Sequence, residues 1–204
     1  MKNIVAIDVG NSETTVGVGN NLSWRSYRYT TRKTITSDEL FMMFKTTIDP
    51  ESINDENLDG SIICSVVPQI TESVVEATER FTSKKVYTVG PGIKTGLKVN
   101  IDNPKELGPD RIANSVGGFK MAQKSVIIVD LGTATTFDVV NDKKEYLGGS
   151  IAPGIKISLE ALTTKTSSLK SVEILSPKSV IGKNTYEAIQ SLSLIHIWRC
   201  RRYH

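Results

Sequence analysis

The alternation of apolar and polar residues divides most of the chain into short strands and amphipathic helices. Runs that are apolar or alternate with a period of two predict strands at residues 24–30, 61–67 and 85–89. Apolar positions three or four residues apart predict helices, one capped by Thr36 and others over residues 71–81, 110–123 and 155–162, with a last one from residue 186. Glycines predict a loop over residues 148–154. Strands that alternate with helices indicate an α/β fold.

One segment near the N-terminus recurs in the second half of the chain. Residues 4–15 read IVAIDVGNSETT, and residues 126–136 read VIIVDLGTATT. Each copy is an apolar strand, then Asp-x-Gly, then a turn rich in hydroxyls, followed by an alternating strand. Two copies this far apart indicate two similar domains rather than a solenoid. We expect the first domain to span residues 1–118 and the second residues 119–191.

The two Asp-x-Gly turns suggest phosphate binding. An Asp at the end of a buried strand, followed by Gly, lets backbone N–H groups approach an anion closely. The carboxylate can also hold a hydrated Mg²⁺ that bridges phosphates. A single Asp-x-Gly is more often a plain hairpin turn. Two copies in the same context predict two loops that hold one nucleotide from opposite domains.

A third segment, Gly108-Pro109-Asp110-Arg111, lies between the two copies. It can be read as a helix start, with Asp110 favourable in the first turn. It can equally be read as a carboxylate base beside a guanidinium that binds a substrate carboxylate. For Asp138 in the second copy, a solvated strand position and a role in the site remain equally open.

Composition changes this picture at the C-terminal end. Both histidines and one of the two cysteines fall within residues 193–204, which also carry three arginines and no acid. Without those arginines Lys and Arg fall from 25 to 22, equal to the 22 Asp and Glu, so the net charge falls from +3 to zero. A basic arm for nucleic acid or membrane is one reading. We favour a non-native tail, residues 192–204, and expect no nucleic acid partner.

The rest of the chain therefore has no histidine and one cysteine, Cys64. A general base must be a carboxylate or, less readily, Lys or Tyr, while Ser-His-Asp and Cys-His chemistry are excluded and a zinc site is disfavoured. Cys64 lies in an apolar run, which is typical of a core residue rather than a nucleophile. No signal peptide or membrane span is evident, so we expect a cytoplasmic protein with no membrane partner.

These motifs resemble those of the type III pantothenate kinases, the CoaX or Baf family of the acetate kinase/Hsp70/actin superfamily. Asp8-Val9-Gly10-Asn11-Ser12 resembles the family's opening, with Ser12 where Thr is usual, and Gly108-Pro109-Asp110-Arg111 resembles its Gly-Ala-Asp-Arg signature. Many members have a substrate-contacting Tyr where Ile101 stands. The resemblance covers residues 1–191 and implies an α/β fold of duplicated ribonuclease H-like (actin-like ATPase) domains, the second incomplete.

The resemblance also implies an activity and a set of site residues. The activity is ATP-dependent phosphorylation of pantothenate to 4′-phosphopantothenate, the first step of coenzyme A biosynthesis, by a homodimer. Asp110 is implied as catalytic base, Asp8 as holder of Mg²⁺, and Asp130 as holder of a monovalent cation, K⁺ or NH₄⁺. The residues implied in ATP binding are Asp8, Val9, Gly10, Asn11, Ser12, Glu13, Thr14, Thr15 and Thr133. Those implied in substrate binding are Gly108, Pro109, Asp110, Arg111 and Thr185.

Two other functions remain open at this stage. One is a kinase of the same superfamily that acts on another small hydroxyl or carboxylate substrate. The other is a non-catalytic, nucleotide-binding regulator of the same fold, against which the Asp110-Arg111 pair argues. Because part of the second domain is expected to be missing, we also expect exposed apolar surface, with poor solubility or inactivity of the chain as written.

Overall fold

The computed structural model describes residues 2–49, 53, 57–90, 93–166, 172–175 and 179–191. The tail predicted over residues 192–204 lies outside these residues. The chain forms two compact units, one of Met1–Val126 with Val139–Gly148 and one of Ile127–Asp138 with Gly149–His204. The predicted boundary between residues 118 and 119 stays a prediction.

The elements follow one another in the alternating order that the hydrophobic pattern predicts. The strands are β1 (Asn3–Val9), β2 (Glu13–Gly19), β3 (Trp24–Thr30), β4 (Leu58–Ser65), β5 (Val86–Thr88), β6 (Lys98–Val99), β7 (Val126–Leu131), β8 (Ala134–Val140) and β9 (Glu145–Pro153). The helices are α1 (Ser37–Thr47), α2 (Pro68–Thr82), α3 (Pro109–Ala122) and α4 (Ile155–Lys165), with a 3₁₀ turn at Pro104–Glu106 and helical backbone over residues 185–191.

The first sheet has the strand order β3-β2-β1-β4-β5. β1 lies at its centre, antiparallel to β2 and parallel to β4, and β4 is parallel to β5. Alternation along β1 buries Val5, Ile7 and Val9 in the main core, where Phe44 of α1 and Val74 of α2 also lie. The same alternation leaves Asp8 on the opposite face.

The helix boundaries follow local capping chemistry. The hydroxyl of Thr36 accepts a hydrogen bond from the Glu39 N–H, and the Glu39 carboxylate accepts one from the Thr36 N–H, which forms a capping box at the start of α1. α2 begins at Pro68, three residues before the predicted start, because proline at the first helical position has the required φ and needs no N–H acceptor. β4 accordingly ends at Ser65 rather than Val67.

The second sheet has the order β6-β9-β8-β7. Its strands β7, β8 and β9 follow one another as a meander, as β1, β2 and β3 do in the first sheet, which confirms the predicted repeat. The prediction of a glycine-rich loop over residues 148–154 is wrong, because most of that segment belongs to β9. Gly148 and Gly149 lie in this strand, which is hydrogen-bonded to β6 and β8, and Gly148 adopts a φ of +119° that other residues rarely adopt.

The two copies differ in burial. Val5, Ile7 and Val9 of β1 are at most 2% exposed, whereas Ile127 and Leu131 of β7 are 64% and 53% exposed. The predicted buried strand before Asp130 is therefore wrong within the described residues. The physical reason is that β1 has a parallel neighbour and two helices over one face, while β7 ends its sheet in the described part of the chain.

Helix α3 packs against β4 and buries residues spaced three and four apart: Ile112, Ser115 and Phe119. The Ser115 hydroxyl is wholly buried and has no hydrogen-bond partner among the described residues. No helix in the described part of the chain is long and apolar enough to cross a bilayer.

We predict that Ser115→Ala leaves the free energy of unfolding unchanged or raises it by up to about 1 kcal/mol, because the substitution removes a buried hydroxyl without a partner. Urea unfolding followed by circular dichroism measures the change. Ser61→Ala is the matched control, since the buried Ser61 hydroxyl donates to Thr82 and its loss should cost about 1 kcal/mol. Equal destabilisation by both substitutions would contradict the prediction.

Candidate functional site

The first Asp-x-Gly turn is a closed hairpin between β1 and β2. The Gly10 N–H donates to the Glu13 carbonyl at 3.0 Å, and the Thr31 hydroxyl donates to the Gly10 carbonyl at 2.8 Å. These bonds use the Gly10 N–H within the turn. Asn11 and Ser12 form the exposed tip. The tip therefore offers polar groups to a ligand, while Gly10 keeps the turn tight.

The residues around this turn divide between the two faces of the sheet. The side chain of Val9 is wholly buried in the core, and the buried Thr14 hydroxyl shares a 2.8 Å hydrogen bond with Thr31. Neither side chain is available to a nucleotide. Asp8 is exposed near the end of β1, and it pairs in register with Thr15 of β2. Of the residues predicted to bind ATP, Asp8 and Thr15 thus lie on the face of the sheet opposite the core.

The start of α3 places a carboxylate and a guanidinium next to each other in the chain. Gly108 is the N-cap residue and Pro109 the first helical residue. One oxygen of the half-buried Asp110 accepts a 2.8 Å hydrogen bond from the Arg111 N–H. A Cβ at Gly108 would lie 2.5 Å from that same oxygen, so glycine leaves room for the carboxylate. The helix-start reading is correct, and the functional reading remains compatible with it.

Arg111 lies over an aromatic ring that the sequence motifs did not predict as part of the site. Its guanidinium carbon is 5.7 Å from the centre of the Tyr146 ring, within the range of a cation–π interaction. Tyr146 is 1% exposed, and its carbonyl accepts a 2.9 Å hydrogen bond from Asn100. Tyr146 is thus a rigid support for Arg111. Tyr146 lies in β9 opposite Val99 of β6, so its position depends on the pairing of segments that are far apart in the chain.

Cys64 brings the two site carboxylates together. It pairs in register with Asp8 on the neighbouring parallel strand and is 7% exposed. Burial raises the pKa of the Cys64 thiol to about 12, and the negative charges of Asp8 and Asp110 and a hydrogen bond to Asp8 add to the rise. The charges of Asp8 and Asp110 thus both act on one thiol. The prediction that Cys64 is buried is confirmed, but its pairing with Asp8 was missed.

The second Asp-x-Gly turn has its own local geometry. The Gly132 N–H donates to the Ala134 carbonyl at 2.9 Å, and the Gly154 N–H, at the start of α4, donates to the Thr133 carbonyl at 3.0 Å. A side chain at Gly154 would collide with the carbonyl oxygens of Gly132 and Thr133. Glycine at that position thus allows the start of α4 to approach the turn. Asp130 and Thr133 are exposed.

The structure also gives the local surroundings of Asp138 and Thr185. Asp138 is wholly buried and accepts a 3.4 Å hydrogen bond from the Thr136 hydroxyl, so the interpretation as a solvated strand position is wrong. Thr185 is exposed and is the first residue of the last helix. The cap is Asn184, whose side-chain oxygen accepts from the Glu187 N–H at 2.8 Å.

The repeated strand–turn meander and the Asp110–Arg111 pair at the start of α3 are compatible with a phosphotransferase. The profile of the type III pantothenate kinase family matches residues 4–195. The chain belongs to the type III pantothenate kinase family.

Relatives and solved structures agree with this assignment. A type III pantothenate kinase of Syntrophotalea carbinolica is 42% identical over 190 residues, and one of Geotalea uraniireducens is 44% identical over 189 residues. Each alignment covers 92% of this chain and 74% of the relative. A Campylobacter jejuni protein described as a conserved Baf family transcriptional activator has a similar fold, with a TM-score of 0.58 at 17% identity over 97% of this chain and 77% of its own. The predicted fold class is confirmed.

We predict that the Cys64 thiol resists alkylation by iodoacetamide in the folded protein. A pKa near 12 instead of 9.0 lowers the thiolate fraction at pH 8 by on the order of 1,000-fold, and the thiolate is the reactive form. The measurement uses a Cys200→Ser background, so that Cys64 is the single thiol, and follows the rate between pH 7 and 11. The folded rate should still rise above pH 10, while the urea-unfolded control levels off above pH 9. A plateau near pH 9 in the folded protein would contradict the prediction.

Proposed function

We propose that this chain, contrary to the expectation of inactivity, transfers the γ-phosphoryl group of ATP to the primary hydroxyl of pantothenate, and that Asp110, Arg111 and Asp8 carry out this reaction. Membership of the type III pantothenate kinase family establishes a kinase that uses ATP. The roles of individual residues rest on the geometry of the first unit.

The observation that carries the proposal is that Asp8 pairs in register with Cys64 of β4, the strand against which α3 packs, and that the charges of Asp8 and Asp110 both act on the Cys64 thiol. The two carboxylates are far apart in the chain, and they lie in different kinds of element. One is at the end of a strand beside a polar turn, and the other is in the first turn of a helix. A hydroxyl acceptor and a phosphate donor must meet in a phosphoryl transfer, and two carboxylates with separate environments can serve the two partners.

In the proposed reaction, Asp110 accepts the proton of the substrate hydroxyl. The hydroxyl oxygen forms a bond to the γ-phosphorus while the bond from that phosphorus to the ADP oxygen breaks, and the hydroxyl proton passes to the Asp110 carboxylate. One oxygen of Asp110 already accepts from the Arg111 N–H, which fixes the orientation of the carboxylate. A carboxylate has about four lone-pair positions, so the substrate hydroxyl can be accepted as well.

Arg111 is proposed to bind the carboxylate of the substrate. A guanidinium has a planar fork of donors that matches a carboxylate in a bidentate arrangement. Tyr146 beneath it limits the rotamers that the long side chain can adopt. Gly108 and Pro109 are proposed to line the same site, since they shape the turn that carries Asp110 and Arg111.

We also propose which residues hold the cations. Asp8 presents an exposed carboxylate beside the polar tip of the first turn, and carboxylate oxygens suit Mg²⁺. Mg²⁺ held there would neutralise phosphate charge. No group of three or more acidic, histidine or cysteine side chains suited to a metal occurs among the described residues, so Asp8 would share the ion with phosphate and water. Asp130, exposed beside the second turn, is proposed to hold K⁺ or NH₄⁺.

The nucleotide-binding groups follow from exposure. Around the first turn, the exposed side chains of Asn11, Ser12 and Glu13 are proposed to contact ATP, with Thr15 on the same face as Asp8. Val9, Gly10 and Thr14 are proposed to contribute through the shape of the turn. In the second unit, Thr133 is exposed next to the start of α4, where helix amides favour an anion. Thr185 and a homodimeric assembly are proposed from family resemblance, and the exposure of Thr185 is compatible with such a contact.

The rival functions are separated by one set of measurements. Phosphorylation is followed with ATP, Mg²⁺ and K⁺ and a panel of acceptors: pantothenate, a hexose and acetate. We expect turnover with pantothenate alone. Preference for another acceptor supports a different kinase of the superfamily, and ATP binding without turnover on any acceptor supports a regulator.

We predict that Asp110→Asn lowers kcat for pantothenate phosphorylation by about 10²- to 10⁴-fold, because the amide cannot accept the proton. The dissociation constant of ATP, measured by calorimetry, should stay within about threefold of wild type. Asp142→Asn, in the exposed turn before β9, is the matched control and should leave kcat unchanged. A wild-type kcat in Asp110→Asn would refute the assignment of Asp110 as base.

We predict that Arg111→Lys raises KM for pantothenate by roughly 10- to 100-fold, because one bidentate, charge-assisted contact is lost. KM for ATP should not change. The alcohol analogue of pantothenate, in which a hydroxymethyl group replaces the carboxylate, tests the contact directly. It should be used equally well by wild type and Arg111→Lys. The same loss with both acceptors would show that Arg111 does not bind the carboxylate.

A further inference from the structure

Thr31, the first residue after β3, makes three hydrogen bonds to the first Asp-x-Gly turn. Its N–H donates to the Ser12 carbonyl at 3.0 Å, and its hydroxyl donates to the Gly10 carbonyl at 2.8 Å. The Thr31 and Thr14 hydroxyls are also 2.8 Å apart. A hydroxyl has one hydrogen, and Thr31 uses its own on Gly10, so Thr14 is the donor to Thr31. One half-buried side chain thus connects the β1 side of the turn with the β2 side.

The bond between Thr31 and Gly10 fixes the direction of one peptide group. In a trans peptide, the carbonyl of one residue and the N–H of the next point to opposite sides. Because the Gly10 carbonyl points to the Thr31 hydroxyl, the N–H of Asn11 points away from Thr31. The other partner of that hydroxyl, Thr14, is buried on the core side of the sheet. The Asn11 N–H is therefore directed away from the core side of the turn.

We infer that Thr31 is a positioning residue for ATP: its hydroxyl holds the Gly10–Asn11 peptide with the N–H toward a phosphate of the nucleotide. The inference rests on the proposed function, in which the first turn contacts ATP. Backbone N–H groups of a tight turn are suitable donors to an anion such as phosphate. Thr31 acts through the turn rather than through a contact with either substrate.

The need for such a restraint follows from the glycine in the turn. Gly10 has few steric limits on its backbone torsions, so the peptide that follows it can rotate more easily than other peptides. A rotated peptide would present its carbonyl oxygen to the phosphate, and the two would repel each other. Rotation requires the bond between Thr31 and Gly10 to break. The β-branched side chain of Thr31 has a stiff χ1, which keeps the hydroxyl in place.

A set of variants separates this role from a purely structural one. Thr31→Val removes the hydroxyl and keeps the branched shape, and Thr31→Ser restores the hydroxyl. Thr78→Val is the matched control, because the wholly buried Thr78 hydroxyl donates to the Val74 carbonyl within α2 at 2.6 Å. Both valine variants lose hydrogen bonds, so both should lower the free energy of unfolding.

Calorimetric titration with Mg–ATP in the absence of pantothenate tests the role in nucleotide binding. Under conditions in which every variant is folded, Thr31→Val should bind Mg–ATP roughly 3- to 10-fold more weakly than wild type. Thr31→Ser and Thr78→Val should bind as wild type does. KM for pantothenate should stay unchanged in all three variants, because the turn is proposed to contact the nucleotide alone.

The direction of the peptide has a spectroscopic signature that does not depend on activity. In the nuclear magnetic resonance spectrum of isotope-labelled protein, saturating Mg–ATP should move the Asn11 amide proton downfield, because a donor to phosphate is deshielded. The movement should be the same in Thr31→Ser and much smaller in Thr31→Val. The amide of Asn21, in the exposed turn at the other end of β2, should not move in any variant.

Either a wild-type affinity for Mg–ATP or a wild-type movement of the Asn11 amide in Thr31→Val overturns the inference, and so does an equal loss of affinity in Thr78→Val. Failure of the proposed function has a different appearance. If wild type binds Mg–ATP through the Asn11 amide but transfers no phosphoryl group to pantothenate, the proposed function fails and the role of Thr31 stands. If wild type phosphorylates pantothenate and Thr31→Val binds Mg–ATP normally, the role of Thr31 fails. A wild-type chain that does not bind Mg–ATP contradicts both.

Discussion

The parallel pairing of β1 with β4 is the constraint on which both the core and the site depend. Its register sets Ile7 opposite Ile63 on the core face and Asp8 opposite Cys64 on the other. Because side chains alternate along a strand, a slip of one residue would move Asp8 into the core and expose the apolar set. An isolated carboxylate in an apolar core is strongly unfavourable. The same burial that stabilises the first sheet therefore holds the carboxylate at the surface.

The second support of the site is the docking of α3 on β4. The buried stripe of α3 contacts the sheet, so that its first turn carries Asp110 and Arg111 to the neighbourhood of Asp8 and Cys64. Asp8 lies near the carboxyl end of β1, where open α/β sheets usually bind their ligands. Asp110 also benefits from its place in the first turn of a helix, where the macrodipole favours a negative charge. Helix packing, helix electrostatics and strand pairing thus together determine the surroundings of the Asp8 and Asp110 carboxylates.

The second unit shows how far a repeated sequence can carry structural information. Its Asp-x-Gly turn again joins two strands of a meander, and Gly154 allows the start of α4 to approach that turn. The apolar residues before Asp130 resemble those before Asp8, yet the burial of the two strands is opposite. An apolar strand sequence specifies what a strand can bury, whereas its actual burial depends on which elements lie against it. The repeat therefore predicted correctly that a strand, a turn and a second strand follow one another. It did not predict how exposed the first of these strands is.

Features that depend on a few neighbouring residues were determined by the sequence alone. The capping box at Thr36, the helix start at Pro109 and Asp110, the repeated turns and the family motifs all belong to this group. Their interactions act within one turn of chain, so local residue types suffice to predict them.

The tertiary structure alone decided the contacts between segments far apart in the chain. It paired Cys64 with Asp8, set Tyr146 beneath Arg111, and made a strand of residues that the glycines had predicted as a loop. Register, pairing and burial are properties of two segments together, and neither segment encodes them by itself. The sequence therefore predicts the turns and caps of this protein, whereas the tertiary fold determines the surroundings of its site carboxylates.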